Sequence, residues 1–156
     1  FEDFKKKLKI IIDGGISRIG IESTVVDLTG KPKILRPGII GDKEIKKCLK
    51  INFSQKKSQI KAPGMLKKHY SPGIPVIING KPKNESHAYI VFGKKYKKIN
   101  NYFNLSKKGN LKEAAANLYR VMRKIKKYGY KKIFVAKIPN IGPGVAINDR
   151  LRRASN

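Results

Sequence analysis

The sequence predicts an α/β protein in two unequal parts, on three observations. Strand-like and helix-like patterns alternate from residue 75 onward, which favours a small domain on a mainly parallel sheet. Near the start, two β-branched runs flank a Thr29-Gly30-Lys31-Pro32 turn. Between these parts, Phe53 to Gly73 is rich in Ser, Gln, Lys, Pro and Gly and follows neither periodicity, so it reads as a linker or lid. The divisions expected are residues 1–52, 53–73 and 74–156.

Lys9 to Asp13 reads as a short apolar strand stopped by Gly14-Gly15. Ser23 to Leu28 is a second strand, and Lys33 to Arg36 returns across the turn as a third, forming a hairpin. Asp42 can cap a helix from Lys43 to about Lys50, with Ile45, Cys48 and Leu49 on one face. After the linker, Pro75 to Asn79, Ala88 to Phe92, Tyr102 to Leu105 and Lys131 to Ala136 read as strands. Leu111 to about Tyr128 reads as a helix. Asn110 is its N-cap, Glu113 closes a capping box, and Gly129 stands where a left-handed residue ends a helix. Leu111, Ala115, Leu118, Val121, Met122 and Ile125 keep the spacing of one buried face. A last helix runs from about Val145 to Ala154.

At 156 residues the chain suits one ordinary domain or two small units. A 40% apolar and 30% charged composition is that of a folded chain, and no apolar run is long enough to span a bilayer. The start, Phe1-Glu2-Asp3, lacks an initiating Met and the positive charge of a secretory signal, so it reads as an internal start. A single cysteine, Cys48, excludes an intramolecular disulfide and leaves the cytoplasm as the expected compartment. The net charge of +27 has two readings. Phosphate neutralisation would draw the chain to nucleic acid, tRNA included. Against that, seven of the 37 basic residues are Arg and the Lys are spread beside many Ile and Asn, as in A/T-biased coding sequence.

Three segments could carry chemistry. In Glu22-Ser23-Thr24-Val25-Val26-Asp27, the Ser23 and Thr24 hydroxyls open a strand and could meet a carboxylate, an amine or a phosphate, or be ordinary strand hydroxyls. Arg36, fixed by Pro37-Gly38 at a strand end, suits a bidentate phosphate contact. The segment Ala62-Pro63-Gly64-Met65 running into Lys67-Lys68-His69-Tyr70-Ser71-Pro72 places cations, an imidazole and a phenol on a loop that could close over a nucleotide. His69 and His87 are not spaced as a metal pair, so no protein-held structural metal is expected, and His87 reads as a surface residue before a strand. Gly142-Pro143-Gly144 reads as a turn, and the basic end from Asn148 to Arg153 as a helix packed by Val145, Ile147 and Leu151.

Taken together with Asp13-Gly14-Gly15, Gly20 and the Gly-Val-Ala-Ile-Asn-Asp-Arg-Leu-Arg-Arg-Ala ending, these segments resemble threonylcarbamoyl-AMP synthases of the long, two-domain Sua-five type, in order and over essentially the whole chain. The resemblance implies that residues 1–52 are the C-terminal part of a YrdC-like α/β domain, and that 74–156 form a smaller Rossmann-like domain. It implies a nucleotidyltransferase that makes threonylcarbamoyl-AMP and pyrophosphate from L-threonine, bicarbonate and ATP with Mg²⁺. Such a product goes to the threonylcarbamoyl-transfer machinery that modifies tRNA. By the same resemblance Ser23 contacts L-threonine, and Arg36 and Tyr70 contact ATP; Thr24, Lys67, Lys68 and His69 are candidate accessory residues. No covalent nucleophile is implied.

The family's earlier half supplies a threonine pocket, a Lys/Arg pair and a Ser-x-Asn segment, and none precedes Phe1. The chain is therefore expected to be inactive alone, with a sheet edge exposed in residues 1–52. The contrasting expectation is a basic tRNA-binding module without catalysis, whose affinity would fall steeply with salt.

Overall fold

The computed structural model describes residues 7–15, 17–54, 62–66, 70–97 and 99–156. Val25–Asp27 (β1) and Lys33–Arg36 (β2) pair antiparallel, with Val26 opposite Ile34 and a register shift between Val25 and Val26. The turn between them is held by the Asp27 carboxylate, which accepts from the Thr29 amide at 2.9 Å and the Thr29 hydroxyl at 2.6 Å. Asp42–Leu49 (α1) follows. The Glu44 carboxylate reaches back to the Gly41 amide at 2.9 Å, so the cap is Gly41 and Asp42 sits inside the first turn.

The larger unit is the expected α/β sheet. Val76–Ile78 (β3), His87–Val91 (β4), Tyr102–Asn104 (β5) and Lys132–Val135 (β6) are all parallel, in the order β3-β6-β4-β5. Strand β6 enters between β3 and β4, placing Ile133 opposite both Val76 and Ala88. Leu111–Lys127 (α2) carries the chain from β5 to β6, and Pro143–Ala154 (α3) follows β6. Both helices share a buried cluster with Ala88, Ile90, Ile133 and Val135, so they cover the same face of the sheet. The opposite face holds Tyr89, Val91 and Ala136, with Tyr96, Tyr102 and Phe134 packed on them. Burial first, and then the neighbouring Tyr96 phenol, push Tyr89 up to about 12.

Several expectations are corrected. Lys9 to Asp13 forms no strand, and Ile10 and Ile12 are 82% and 92% exposed. Strand structure exists only through pairing, and no described residue pairs with this run. Helix α1 buries no residue fully. Ile45 is half-covered, but Cys48 and Leu49 are exposed because no described element packs over them. Asn110 caps α2, its side chain accepting from the Glu113 amide at 3.0 Å, but the Glu113 carboxylate does not return to the cap. Ser106, 1% exposed, stands between them: it accepts from the Asn110 amide at 2.9 Å and donates to Glu113 at 2.6 Å. Helix α3 starts two residues early, because Pro143 pre-sets a helical φ at the first position. His87 opens β4 rather than preceding it, its ring 5.4 Å from that of Phe134. Among the described residues no helix is long and apolar enough to cross a membrane.

The N-terminal part is docked on the larger unit. Ile21 belongs to the main core cluster, against which Ile39, Tyr70 and Ile74 also pack. Gly20, at φ +70°, lies so close to the backbone of Ala116 on α2 that a Cβ would collide with it.

Candidate functional site

Arg36 ends β2, and its guanidinium turns back across the hairpin. Nε donates to the Ser23 carbonyl at 3.1 Å, Nη2 lies 3.5 Å from the Ser23 hydroxyl, and Nη1 donates to the Pro63 carbonyl at 3.1 Å. A side chain at the end of one strand thus holds both the start of its partner and the linker. Gly64 lets the linker come this close: at φ +82° it needs no Cβ, and one there would meet the Tyr70 phenol oxygen and the Arg36 side chain. The structure therefore brings Ser23, Arg36 and Tyr70 together. Ser23 is exposed.

Thr24 is used differently. Its hydroxyl donates to the Ile40 carbonyl at 2.6 Å and accepts from the Gly38 amide at 3.0 Å, tying down the chain that leaves β2. Gly38 packs against the Ser23–Thr24 backbone with no room for a Cβ. Lys67, Lys68 and His69 lie outside the described residues.

Behind these groups is a polar cluster that sequence reasoning missed. The Arg150 side chain on α3 has no exposed surface. It pairs with Glu22 at 3.0 Å and Asp149 at 2.9 Å, and donates to the Pro37 carbonyl at 2.9 Å. Its guanidinium carbon lies 5.2 Å from the centroid of the Tyr70 ring, a cation–π distance. Tyr70 stacks on Tyr119 of α2 with centroids 5.6 Å apart, and the Tyr119 phenol donates to Glu22 at 3.2 Å. Arg153, one helical turn on, donates to the Met65 and Leu66 carbonyls at 2.7 and 2.9 Å. The linker is thereby gripped at Pro63 by β2 and at Met65–Leu66 by α3.

These contacts set the proton affinities. Burial pushes the Glu22 carboxyl up, but its own backbone, the Tyr70 phenol and the Arg150 charge together hold it below the usual carboxylate value. Burial and the Glu22 contact raise Tyr70, and burial raises Tyr119 further. Glu22 and Arg150 stay ionised and both phenols neutral near neutral pH, a fixed charge pattern behind the hairpin. Among the described residues, no group of three His, Cys, Asp or Glu side chains gathers as a metal site.

One signal could have found Arg150. It falls on the buried stripe of α3, four residues from Ala146 and Ala154 and three from Ile147, where an unpaired cation would be costly. Glu22, the partner, stood in a segment already singled out, but nothing local joins the two.

Comparison with known proteins shows which family the chain resembles. A family profile described as threonylcarbamoyl-AMP synthase, C-terminal domain, matches residues 40–156, and one described as telomere recombination matches residues 1–38. The threonylcarbamoyl-AMP synthase of Pyrococcus abyssi is 34% identical over 176 aligned positions, covering 99% of this chain and 51% of that protein. The crystal structure of P. abyssi Sua5 complexed with L-threonine superposes with a TM-score of 0.80 at 35% identity, over 99% of this chain and 51% of that one. A P. abyssi Sua5 with adjacent His and Tyr replaced by Ala matches at 30% identity and TM-score 0.71, over 92% and 47%. The chain spans about half the length of these relatives. Matched by the C-terminal-domain profile over most of its length, and sharing the fold of a solved relative end to end, the chain belongs to the threonylcarbamoyl-AMP synthase family.

Proposed function

We propose that the chain forms one wall and the closing loop of an L-threonylcarbamoyladenylate synthase site. In this reading L-threonine, bicarbonate and the magnesium complex of ATP are the substrates. The threonine amine combines with bicarbonate, losing water, to give a carbamate; a carbamate oxygen then attacks the α-phosphorus, the bond from that phosphorus to the bridging oxygen breaks, and pyrophosphate leaves with threonylcarbamoyl-AMP formed. The product serves tRNA threonylcarbamoyladenosine synthesis in the cytoplasm, through the threonylcarbamoyl-transfer machinery.

The observation that carries the reading is Arg36, a fork held at Ser23 and Pro63 simultaneously. Such a guanidinium can stabilise developing phosphate charge without reorganising, which is where much of the catalytic advantage in phosphoryl chemistry arises. Ser23 would meet the threonine, and the Tyr70 phenol would reach ATP from the linker. The L-threonine bound in a solved relative supports the substrate, and the relative with a His-Tyr pair replaced draws attention to His69-Tyr70, the one His-Tyr pair in this sequence. In this reading Mg²⁺ enters with the nucleotide, as part of the substrate. The chain's own contribution is positioning and charge, with water kept from a labile carbamate by the linker.

The test joins the chain to the part of the P. abyssi protein that it does not match and measures pyrophosphate release. Threonine-dependent release is expected from the chimera and none from the 156 residues alone. Arg36→Ala in the chimera should lower kcat/KM for ATP at least about tenfold, and Ser23→Ala should raise KM for threonine. A folded chimera whose release ignores threonine, or is untouched by Arg36→Ala, overturns the reading.

A further inference from the structure

The face of the sheet that α2 and α3 leave uncovered carries a pocket of its own. It has a volume of about 490 Å³ and opens where β4 and β5 end, lined by Val91, Gly93, Lys94, Tyr96, Lys97, Tyr102, Asn104 and Lys107. It shares no residue with the cluster around Arg36. The carboxyl ends of parallel strands are where open α/β sheets receive ligands, because successive loops diverge there and leave a crevice.

Its walls are fixed. Asn104 donates from Nδ2 to the Gly93 carbonyl at 2.9 Å, and the Gly93 amide donates to the Ser106 carbonyl at 2.9 Å. The loop after β4 is thereby stitched to the chain leaving β5. Gly93 adopts φ +93° with open space where a Cβ would stand, so the pocket mouth is kept clear by backbone geometry. The floor is aromatic: Tyr102 meets Tyr89 edge-on at 5.1 Å, and Tyr96 meets Tyr89 edge-on at 5.9 Å. Tyr96 and Tyr102 keep part of their rings accessible, while Lys94, Lys97 and Lys107 are exposed around them.

The charge is one-sided. From Ser86 to Lys112 the sequence has seven lysines and no acidic residue. Compositional bias explains lysines spread over a surface, but not three of them ringing a tyrosine-floored cavity large enough for a small organic ligand. Aromatic rings in a basic surround match one ligand chemistry, a planar base joined to a phosphate.

We propose that this pocket binds a nucleotide, its base against Tyr96 and Tyr102 and its phosphate among Lys94, Lys97 and Lys107, either free or as one unit of an RNA strand. Lysine serves as a point charge toward phosphate, so the lysines supply affinity while the stacked ring accepts any base.

The test uses the full 156-residue chain at one fixed salt concentration, with ATP and a fluorescein-labelled adenosine hexaribonucleotide as probes. Lys97→Glu/Lys107→Glu should weaken hexanucleotide binding at least about tenfold, while the charge-matched pair Lys46→Glu/Lys47→Glu on α1 should change it less than about twofold. Tyr96→Leu, which keeps an apolar side chain against Tyr89, should weaken it about tenfold through lost stacking, with circular dichroism unchanged. Displacement of the hexanucleotide by ATP identifies the free nucleotide as sufficient; no displacement assigns the pocket to a strand. Equal loss with both lysine pairs, an unchanged Tyr96→Leu variant, or no binding overturns the proposal. Loss on Arg36→Ala alone also overturns it and moves the nucleotide to the site proposed above.

Discussion

Arg150 is a cation without exposed surface, tolerable only because Glu22, Asp149, the Pro37 carbonyl and the Tyr70 ring all turn toward it. Arg150→Met keeps most of the volume and strands Glu22. The expected loss is about 3 kcal/mol by urea unfolding, at the lower edge for breaking a buried pair because Glu22 retains some contact with water. Glu22 also fixes a pH dependence. Its carboxyl is held below the usual value in the folded chain, so its contribution is complete at neutral pH and is lost as pH falls through that depressed folded value. The stability gap between the parent chain and Glu22→Gln should therefore be widest near pH 7 and close in acid, below about pH 4. A gap that widens in acid would contradict the pairing. At this scale the sequence was half legible. Arg36 and Tyr70 could be singled out because Pro and Gly beside them mark fixed chain. Arg150 looked like one more charge on a basic helix, since its role depends on a residue 128 positions away.

Elements fared according to what defines them. Helix α2 was legible in length and face because its apolar spacing, its Asn110 cap and its Gly129 stop all agree, and Gly129 does take φ +76°. The four parallel strands were legible as β-branched and aromatic runs. Lys9 to Asp13 has the same composition and is no strand, since composition supplies propensity but not a neighbour. The capping box misled in an instructive way: its residue types are right, yet Ser106 takes the Glu113 carboxylate, from a position before the cap that the motif does not include. Ser106→Ala should therefore cost more than Asn110→Ala, about 2 against about 1 kcal/mol by thermal or urea unfolding, because it removes the buried hydroxyl that serves both the Asn110 amide and the Glu113 carboxylate. The reverse order would mean that Glu113 reaches the cap itself once Ser106 is gone.

Across the whole molecule, the hairpin and the linker borrow stability from the larger unit. A two-stranded hairpin is marginal in water, and β1 and β2 pair only with each other among the described residues. What anchors them is Ile21 in the common core, the Gly20 approach to α2, and Arg150 and Arg153 of α3. Gly20→Ala forces a Cβ into the Ala116 backbone at a left-handed φ, and should cost about 3 kcal/mol while keeping a single unfolding transition. Two separated transitions would show that the parts are not one cooperative unit. The span from Glu22 to Arg150 also has a consequence in time. A ribosome adds residues at about 5–20 per second, so Glu22 waits roughly 6–25 s before its partner is made. Until α3 is made, the hairpin carrying Ser23 and Arg36 has no arginine to seat it. During synthesis, the wall that would face the nucleotide gains this support only after α3 has been made.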